Sequence, residues 1–258
     1  MANYQTDEAL CLRVIDFSET SQVVTLLTRR HGLMGLLAKG SRKASKRRAG
    51  PIGGPLDLLC RGEAIFLPAR EDAGLGTLTA WDVRDHHPQL RTQLRAFYAG
   101  QMVCEFTSLL LSPLDPHPEL YDQLVAALEL LAGAQGPRAV VAYMKCALTE
   151  AGYQPRLAGC QECQAAARPG RPMRFVAAAG GLWCADCPAD KRAVQVDGGV
   201  ILALARLPTP MRLRAQPPSR EANSRALLTA ARLLMGYARF IAEKPLKTYS
   251  LAAAVFDK

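Results

Sequence analysis

Short apolar runs separated by polar turns fill the first third of the chain. Valine, leucine and isoleucine dominate these runs, which are ALCLRVIDF, SQVVTLLTRR, LMGLLAKG and PLDLLCRGEAIFLPAR, and clusters such as SETS and RHG separate them. Runs of this length bounded by turn residues are typical of β-strands. Four or five strands within roughly 75 residues predict a small closed barrel from Ala9 to about Trp81.

After Trp81 the apolar positions recur every three or four residues, which is the spacing of one face of an α-helix. Two such helices are predicted in QLRTQLRAFYAGQMVCEFTSLLL and ELYDQLVAALELLAG. A third starts after Pro137 and ends near Gly152, because proline suits the first helical turn and glycine commonly follows the last one. Ser219 is the predicted N-cap of a final long helix, near the end of the proline-rich segment LPTPMRLRAQPPS.

These patterns predict a multidomain α+β protein in which a β-barrel precedes a helical bundle, and a four-cysteine module interrupts the bundle. The predicted barrel domain is residues 1–81. The helical domain is predicted in two parts, residues 82–155 and 194–258, on either side of a zinc-binding insertion at residues 156–193.

The four cysteines of the module form two CxxC pairs, Cys160 with Cys163 and Cys184 with Cys187, separated by twenty residues. Two intervening residues let both sulfurs of each pair point at one tetrahedral ion, so the spacing is typical of a structural zinc site. The intervening segment, QAAARPGRPMRFVAAAGGLW, has few large apolar residues, and we expect the metal to serve as its core. One structural Zn²⁺ is therefore predicted.

Two other functions are open to these cysteines. The sequence WCADCP resembles the active site of a thioredoxin-type oxidoreductase, but that interpretation leaves Cys160 and Cys163 without a role and lacks the βαβ pattern around it. A catalytic zinc needs an open ligand position, whereas four cysteines complete the coordination shell. A structural site is favoured over both. The remaining cysteines each lie in an apolar segment and are expected to be buried thiols: Cys11, Cys60, Cys104 and Cys146.

Charge is concentrated in one stretch of the chain. The net charge is +9, and residues 39–48 contain six basic side chains and no acid. We call this stretch the basic segment; its charged residues are Lys39, Arg42, Lys43, Lys46, Arg47 and Arg48. A positive field favours nucleic acid, anionic lipid or an acidic protein as partner. The basic segment is predicted as a long loop after the third strand, and loops at a barrel rim commonly bind ligands.

Composition alone leaves the basic segment open to two interpretations, a solvated connector and a nucleic-acid contact. Its place on a barrel favours the second, because single-strand-binding barrels use lysine and arginine to follow phosphates. Arg29 and Arg30, in the turn before His31, either extend that surface or solvate a hairpin. Electrostatics is expected to dominate over base stacking, because the barrel has few aromatic residues, chiefly Tyr4, Phe17, Phe66 and Trp81.

Motifs of common enzyme classes are absent from the sequence. It has no GxxxxGK[ST], GxGxxG, HExxH or GxSxG, and no acidic cluster of the two-metal nuclease type. We therefore expect a protein that is not an enzyme. No apolar run approaches the ~20 residues of a membrane span, and MANYQTDEAL lacks the order of a signal peptide, so no membrane partner and a cytoplasmic location are expected.

Residues 15–43, IDFSETSQVVTLLTRRHGLMGLLAKGSRK, resemble the N-terminal signature of the bacterial recombination mediator family RecO. An SETS turn, a TxxHG turn and an AKGxR segment follow one another in the order of that family. The closing sequence EKPLKTY also resembles the family's C-terminal segment. The resemblance implies an N-terminal OB-fold and a helical domain with an inserted four-cysteine zinc module.

The resemblance also implies a function. RecO proteins bind single- and double-stranded DNA, anneal complementary strands, including strands coated by single-strand DNA-binding protein, and act with RecR to load RecA during repair. Lys39, Arg42 and Lys43 match the family's AKGxR segment, and the other three basic residues extend it. The family's zinc ligands correspond to Cys160, Cys163, Cys184 and Cys187. A nucleoid-associated location in the bacterial cytoplasm is implied.

Two rivals outside this family remain. A zinc-containing barrel protein that binds RNA or the ribosome has the same charge and the same cysteines, and a preference for DNA over RNA separates it from RecO. A zinc-containing regulator that reads a specific duplex needs a basic recognition helix, and no helix in the sequence has such a face.

Overall fold

Five strands form the N-terminal part of the protein. The computed structural model describes residues 4–42, 52–69, 74–217 and 223–256 of the chain. The strands are β1 (Gln5–Asp16), β2 (Gln22–Thr28), β3 (Gly32–Ala38), β4 (Arg61–Leu67) and β5 (Gly76–Asp85). They close into a barrel in the order β1-β2-β3-β5-β4, in which β1 pairs antiparallel with β2 and β4 and β3 pairs parallel with β5. The predicted closed barrel is confirmed, and its last strand continues beyond Trp81 to Asp85.

Alternation along the strands fills the barrel with apolar side chains. Val24 and Leu26 of β2 are fully buried, and they lie in one hydrophobic core with Leu36 of β3, Phe66 of β4 and Trp81 of β5. Polar side chains with defined roles therefore lie at the two ends of the barrel, where strands enter and leave.

The turn between β2 and β3 depends on a glycine. Gly32 has φ of +74°, and a Cβ there would lie 2.2 Å from the carbonyl oxygen of Asp115. The Thr28 hydroxyl donates to the Gly32 carbonyl oxygen at 2.9 Å and accepts from the His31 N–H at 3.2 Å. The TxxHG sequence thus forms a turn against which residues 111–117 pack closely, within a compact unit of Met1–Thr92 and Leu111–Asp122.

Helices make up most of the second compact unit, Gln93–Leu110 with Gln123–Lys258. The α-helices of the described chain are α1 (Pro88–Arg91), α2 (Leu94–Leu110), α3 (Pro118–Leu130), α4 (Gly136–Glu150), α5 (Gly198–Arg206), α6 (Pro210–Arg214), α7 (Ser224–Ala242) and α8 (Ala252–Phe256). The three helices predicted between Trp81 and Gly152 correspond to α2, α3 and α4. In the described part of the chain, no helix has the length and apolar character needed to cross a membrane.

The predicted cap of the last long helix is wrong. Ser219 lies outside the described residues, and α7 begins at Ser224 with Asn223 as its N-cap. The Asn223 carboxamide oxygen accepts from the backbone N–H of Arg225 at 3.1 Å and of Ala226 at 3.3 Å. Asparagine is as good an N-cap as serine, and Asn223 lies directly before the first helical residue.

Apolar side chains of α2, α4 and α7 form the core of the helical bundle. Phe106, Tyr143 and Leu234 are fully buried there. The Tyr143 hydroxyl is 2.6 Å from the Thr107 hydroxyl, so this buried polar group has a partner. The C-terminal sequence EKPLKTY is tied to the same bundle, because the Glu105 carboxylate of α2 accepts from the backbone N–H of Lys247 and of Thr248, each at 2.8 Å.

A four-stranded sheet lies between α4 and α5 in the chain. Its strands, β6 (Arg156–Cys160), β7 (Pro172–Val176), β8 (Gly181–Cys184) and β9 (Val194–Asp197), are arranged in the order β6-β8-β7-β9.

The sheet has an apolar layer of its own. Met173, Phe175 and Leu182 are buried, and the Phe175 ring contacts Tyr237 of α7 edge to face at 5.2 Å between centroids. The segment therefore has an apolar layer in addition to the predicted metal site, which was not predicted from the sequence. Alternation in MRFV and GLW places these few large side chains on one face of the sheet, where they pack together.

Candidate nucleic-acid interface and metal centre

The basic segment starts at one rim of the barrel. Asp16, the last residue of β1, is paired with Gln22 at the start of β2, and Gln22 is paired with Ala38 at the end of β3. Three strand ends are therefore aligned, and the chain leaves β3 there as Lys39. Lys39 and Arg42 are described and exposed. The other predicted nucleic-acid-binding residues of the basic segment lie outside the described residues: Lys43, Lys46, Arg47 and Arg48.

A buried glutamine joins the two ends of the loop that contains the basic segment. The Gln22 carboxamide oxygen accepts from the Leu56 N–H at 2.9 Å and from the Ser41 hydroxyl at 3.1 Å. Its nitrogen lies 3.4 Å from the Leu56 carbonyl oxygen and 3.4 Å from Asp16 Oδ1. Gln22 and Ser41 are 4% and 2% exposed. Gln22 therefore fixes where the chain leaves the barrel at Ser41 and where it returns at Leu56.

Arg42 and Lys39 differ in what they contact. The Arg42 guanidinium is 3.2 Å from Asp16 Oδ2 and 3.4 Å from the Ser18 carbonyl oxygen, and its backbone N–H donates to Thr20 at 3.1 Å. Both ion-pair partners are more than a third exposed, so water screens the pair and it contributes little stability. No ion pair involving Lys39 occurs among the described residues. These two cations are thus accessible to an anionic ligand.

Arg29 and Arg30 lie at the opposite end of β2, and both contact carboxylates. Arg29 forms a bidentate pair with Asp122, at 3.1 Å and 2.8 Å. Arg30 donates to Asp7 through its backbone N–H at 2.7 Å and through Nε at 3.1 Å. The structure therefore does not bring these two arginines together with Lys39 and Arg42, and their contact with DNA stays a prediction.

Asp7 is a buried carboxylate that organises this opposite end of the barrel. It is 2% exposed, and His31 Nδ1 lies 2.8 Å from its Oδ2. Burial alone raises the pKa of Asp7, but the hydrogen bonds from His31 and from the Arg30 backbone N–H outweigh burial and hold that pKa below its usual value. Asp7 thus remains ionised and fixes the turn that contains Arg30 and His31.

The four cysteines of the two CxxC pairs converge on one point. Their sulfurs all lie within 4.8 Å of one another, and Cys163 Sγ is 3.7 Å from Cys184 Sγ. A zinc–sulfur bond of about 2.3 Å places the sulfurs of a tetrahedral site about 3.8 Å apart. The arrangement therefore fits a tetrahedral metal ion. The predicted convergence of Cys160, Cys163, Cys184 and Cys187 is confirmed as a cluster that can hold a metal.

The electrostatics of the cluster favour a cation. Burial raises the pKa of Cys160, but backbone N–H groups of Cys163 and Cys184 donate to its sulfur and lower the pKa to about 6. The adjacent sulfurs of Cys163 and Cys184 raise the pKa of Cys187. The backbone thus stabilises one thiolate, whereas four thiolates at this spacing repel one another unless a positive ion lies between them.

Arg174 holds the second CxxC pair in place. This arginine lies on β7, and one of its terminal nitrogens donates to the carbonyl oxygens of Cys184, at 2.6 Å, and of Cys187. Because those carbonyls belong to the two ligands of the second pair, the guanidinium fixes the turn between them.

Comparison with known proteins covers nearly the whole chain. Residues 1–86 match the family model described as recombination protein O N terminal, and residues 91–249 match the one described as recombination protein O C terminal. The chain belongs to the RecO family. Membership supports a role in DNA repair and recombination, and it confirms the resemblance seen in residues 15–43.

Three relatives of this RecO-family chain show the extent of the similarity. Each is named DNA repair protein RecO. The protein from Anaeromyxobacter sp. (strain K) is 36% identical over 198 residues, 76% of either chain. That from Rhodopirellula baltica is 33% identical over 216 residues, 82% of this chain and 76% of the relative. That from Myxococcus xanthus is 34% identical over 223 residues, 81% of this chain and 86% of the relative.

Sequence reasoning missed three residues that position these sites: Gln22, Asp7 and Arg174. Each is a polar side chain within or beside a strand, where alternation gives no sign of a specific partner. The partners of Gln22 lie as far as 34 positions along the chain. The CxxC spacing indicates the ligands of a metal but not the arginine that binds their carbonyl oxygens. Arg174 could be identified only from the pairing of β7 with β8.

Proposed function

We propose that this RecO-family protein is a non-enzymatic mediator that binds single- and double-stranded DNA and anneals complementary strands. In this proposal the barrel domain, predicted as residues 1–81 and with its last strand ending at Asp85, binds DNA through the basic segment, and the module of residues 156–193 is held by one structural Zn²⁺. Family membership supports the repair role. The observation that carries the DNA-binding part is the rim, where exposed Lys39 and Arg42 lead into a segment rich in cations.

The mechanism needs no covalent step. A cationic surface that holds two strands screens the repulsion between their phosphates and raises the local concentration of one strand near the other. Base pairing then supplies the free energy of annealing, so no nucleotide is hydrolysed. Arg29 and Arg30 remain proposed DNA contacts, on the condition that DNA phosphates compete with Asp122 and Asp7 for them.

The cysteine cluster has a structural role in this proposal. Cys160, Cys163, Cys184 and Cys187 would hold zinc, and the ion would neutralise their thiolates and lock the two turns of the sheet. Four sulfur ligands leave no position for a substrate. The zinc is thus proposed to stabilise the module rather than to take part in chemistry.

Annealing provides the test. Two complementary labelled oligonucleotides are mixed at physiological salt, and duplex formation is followed by energy transfer with wild type, with the double variant Lys39→Ala, Arg42→Ala, and with a control. Arg225→Ala, Arg232→Ala is the matched control, because it removes two exposed cations from α7. Annealing should slow several-fold in the barrel variant alone and should not depend on ATP. Equal rates for all three proteins would contradict the proposal.

The proposed partners are RecR, single-strand DNA-binding protein and, indirectly, RecA; this set rests on the family resemblance. ATP turnover by RecA is taken as the readout of its loading onto DNA. On single strands coated by single-strand DNA-binding protein, turnover should rise when this protein and RecR are added together and not when either is added alone. A rise with RecR alone would remove this chain from the loading step. The work on chromosomal DNA that the proposal implies would place the protein at the bacterial nucleoid.

A further inference from the structure

Four aromatic residues of the barrel differ sharply in exposure. Phe66 and Trp81 are buried in the core, at 0% and 5% exposed, whereas Tyr4 is 56% and Phe17 66% exposed. A phenylalanine that leaves two-thirds of its surface in water contributes little to the fold. Phe17 also has no polar atom on its side chain, so its accessible interactions are contact with apolar or aromatic groups.

Phe17 lies at the rim from which the basic segment starts. Asp16, Gln22 and Ala38 are aligned across β1, β2 and β3, so Phe17 and Lys39 are the residues that follow two of these aligned ends. Adjacent strands are about 4.8 Å apart, and β1 and β3 are therefore separated by roughly 10 Å at this rim. A strand whose phosphates contact Lys39 would pass close to the Phe17 ring. Tyr4 precedes β1 and lies at the other end of that 12-residue strand.

The turn that carries Phe17 is fixed and is bound to the basic segment. The backbone N–H of Phe17 donates to the Ser21 carbonyl oxygen at 3.0 Å, and the N–H of Ser18 donates to the same oxygen at 3.2 Å. Arg42 ties its own backbone to this turn through Thr20 at 3.1 Å. The ring is thus presented on a preorganised turn, which reduces the entropy lost when a ligand stacks on it.

Charge on the turn indicates which part of a nucleotide it can accept. Asp16 and Glu19 are exposed on either side of Phe17, and Arg42 pairs with Asp16. Carboxylates repel phosphates, so the turn itself is a poor phosphate site. A nucleobase is neutral, and its planar face stacks on an aromatic ring whatever its sequence.

We propose that Phe17 is a stacking site for an unpaired nucleobase and that it gives the barrel a preference for single strands. This inference rests on the proposed DNA-binding function. Lys39, Arg42 and the rest of the basic segment hold phosphates of either form of DNA, whereas Phe17 recognises only a base whose face is free. In a duplex both faces of each internal base are already stacked, so Phe17 adds affinity for single strands alone.

The test compares wild type with Phe17→Ala, Phe17→Trp and Tyr4→Ala on single-stranded and duplex DNA of the same length. Phe17→Ala should weaken single-strand binding at least about 5-fold, as expected for one lost base stack, and leave duplex binding and the salt dependence unchanged. Phe17→Trp should retain the affinity, and the indole emission that it adds to that of Trp81 and Trp183 should be quenched by single strands and not by duplex. Tyr4→Ala, which removes an exposed aromatic at the far end of β1, should bind as wild type does.

The outcomes separate this inference from the function on which it rests. If wild type binds single strands and Phe17→Ala binds equally well, the stacking site is refuted and the DNA-binding function stands. An equal loss on duplex and single strands, or a loss with Tyr4→Ala in place of Phe17→Ala, also overturns the stacking site. If wild type binds neither form of DNA, the proposed function itself fails and the inference fails with it.

Discussion

Replacing Gln22 by leucine should destabilise the barrel at the rim that carries the basic segment. Leucine keeps most of the volume of the side chain but loses the two short hydrogen bonds to Leu56 and Ser41, at 2.9 Å and 3.1 Å. Each bond contributes about 1 kcal/mol net, and a buried N–H or hydroxyl left without a partner costs about 1–3 kcal/mol. The two contacts at 3.4 Å add little. We expect the free energy of unfolding to fall by about 2–4 kcal/mol.

Urea unfolding monitored by tryptophan fluorescence measures this loss. The chain has two tryptophans, Trp81 in the barrel core and Trp183 in β8. A Trp183→Phe background leaves Trp81 as the single reporter, so the transition of the barrel is followed on its own. Gln5→Leu is the matched control, since Gln5 lies on β1 and no hydrogen bond of its side chain occurs among the described residues; its unfolding midpoint should hardly change.

Two results would refute the reasoning about Gln22. A loss below about 0.5 kcal/mol in Gln22→Leu would mean that other groups or water satisfy Leu56 and Ser41 equally well. A loss of the same size in Gln5→Leu would mean that any leucine in these strands destabilises the barrel, with no special role for the buried carboxamide.

Gly32→Ala should lower the free energy of unfolding by more than about 2 kcal/mol, because its Cβ would lie 2.2 Å from the Asp115 carbonyl oxygen. Gly74→Ala, with φ of +65° and nothing near its Cβ, should lower it by only about 1–2 kcal/mol, through backbone strain alone. Equal losses of stability in the two variants, measured by thermal or urea unfolding, would show that packing against Asp115 does not contribute. Asp7→Asn should destabilise the protein at neutral pH, and the difference from wild type should shrink as pH falls below the ordinary carboxyl pKa of about 3.8, because the folded-state pKa is lowered; a difference that stays constant below that pH in unfolding curves would contradict the ion pair. Cys160→Ser should abolish binding of one zinc per chain, measured by a chromogenic chelator, while single-strand affinity stays largely intact; loss of all DNA binding with a folded barrel would refute the separate roles of barrel and module.

The sequence predicted those features that depend on local patterns. Alternation and turn residues located the strands of the barrel, and the CxxC spacing located the four sulfurs. Each of these signals is contained within a stretch of a few residues. The predicted cap of α7 was wrong because Ser219 and Asn223 are both good N-cap residues, and only the start of the helix at Ser224 distinguishes them.

Features that depend on pairing across the barrel were beyond the reach of the sequence. Nothing in TRRHG shows that Arg29 contacts Asp122, 93 positions away. Composition alone made Phe17 and Trp81 equivalent aromatics, whereas Trp81 on β5 is buried in the barrel core and Phe17, in the turn after β1, is exposed. The proposed stacking role of Phe17 would add one residue to the sequence-based prediction that electrostatics dominates DNA binding, and that prediction stays untested.

The most direct test of the account is the salt dependence of single-strand affinity, measured by fluorescence anisotropy. Wild type is compared with a variant in which all six basic residues of the basic segment are alanine, and with Arg225→Ala, Arg232→Ala as the control. If the six side chains contact about four phosphates, the slope of log affinity against log salt should become shallower by roughly 3, at about 0.7 per contact, and the control should keep the wild-type slope. An unchanged slope and affinity in the six-residue variant would show that the basic segment is a solvated connector and that DNA binds elsewhere.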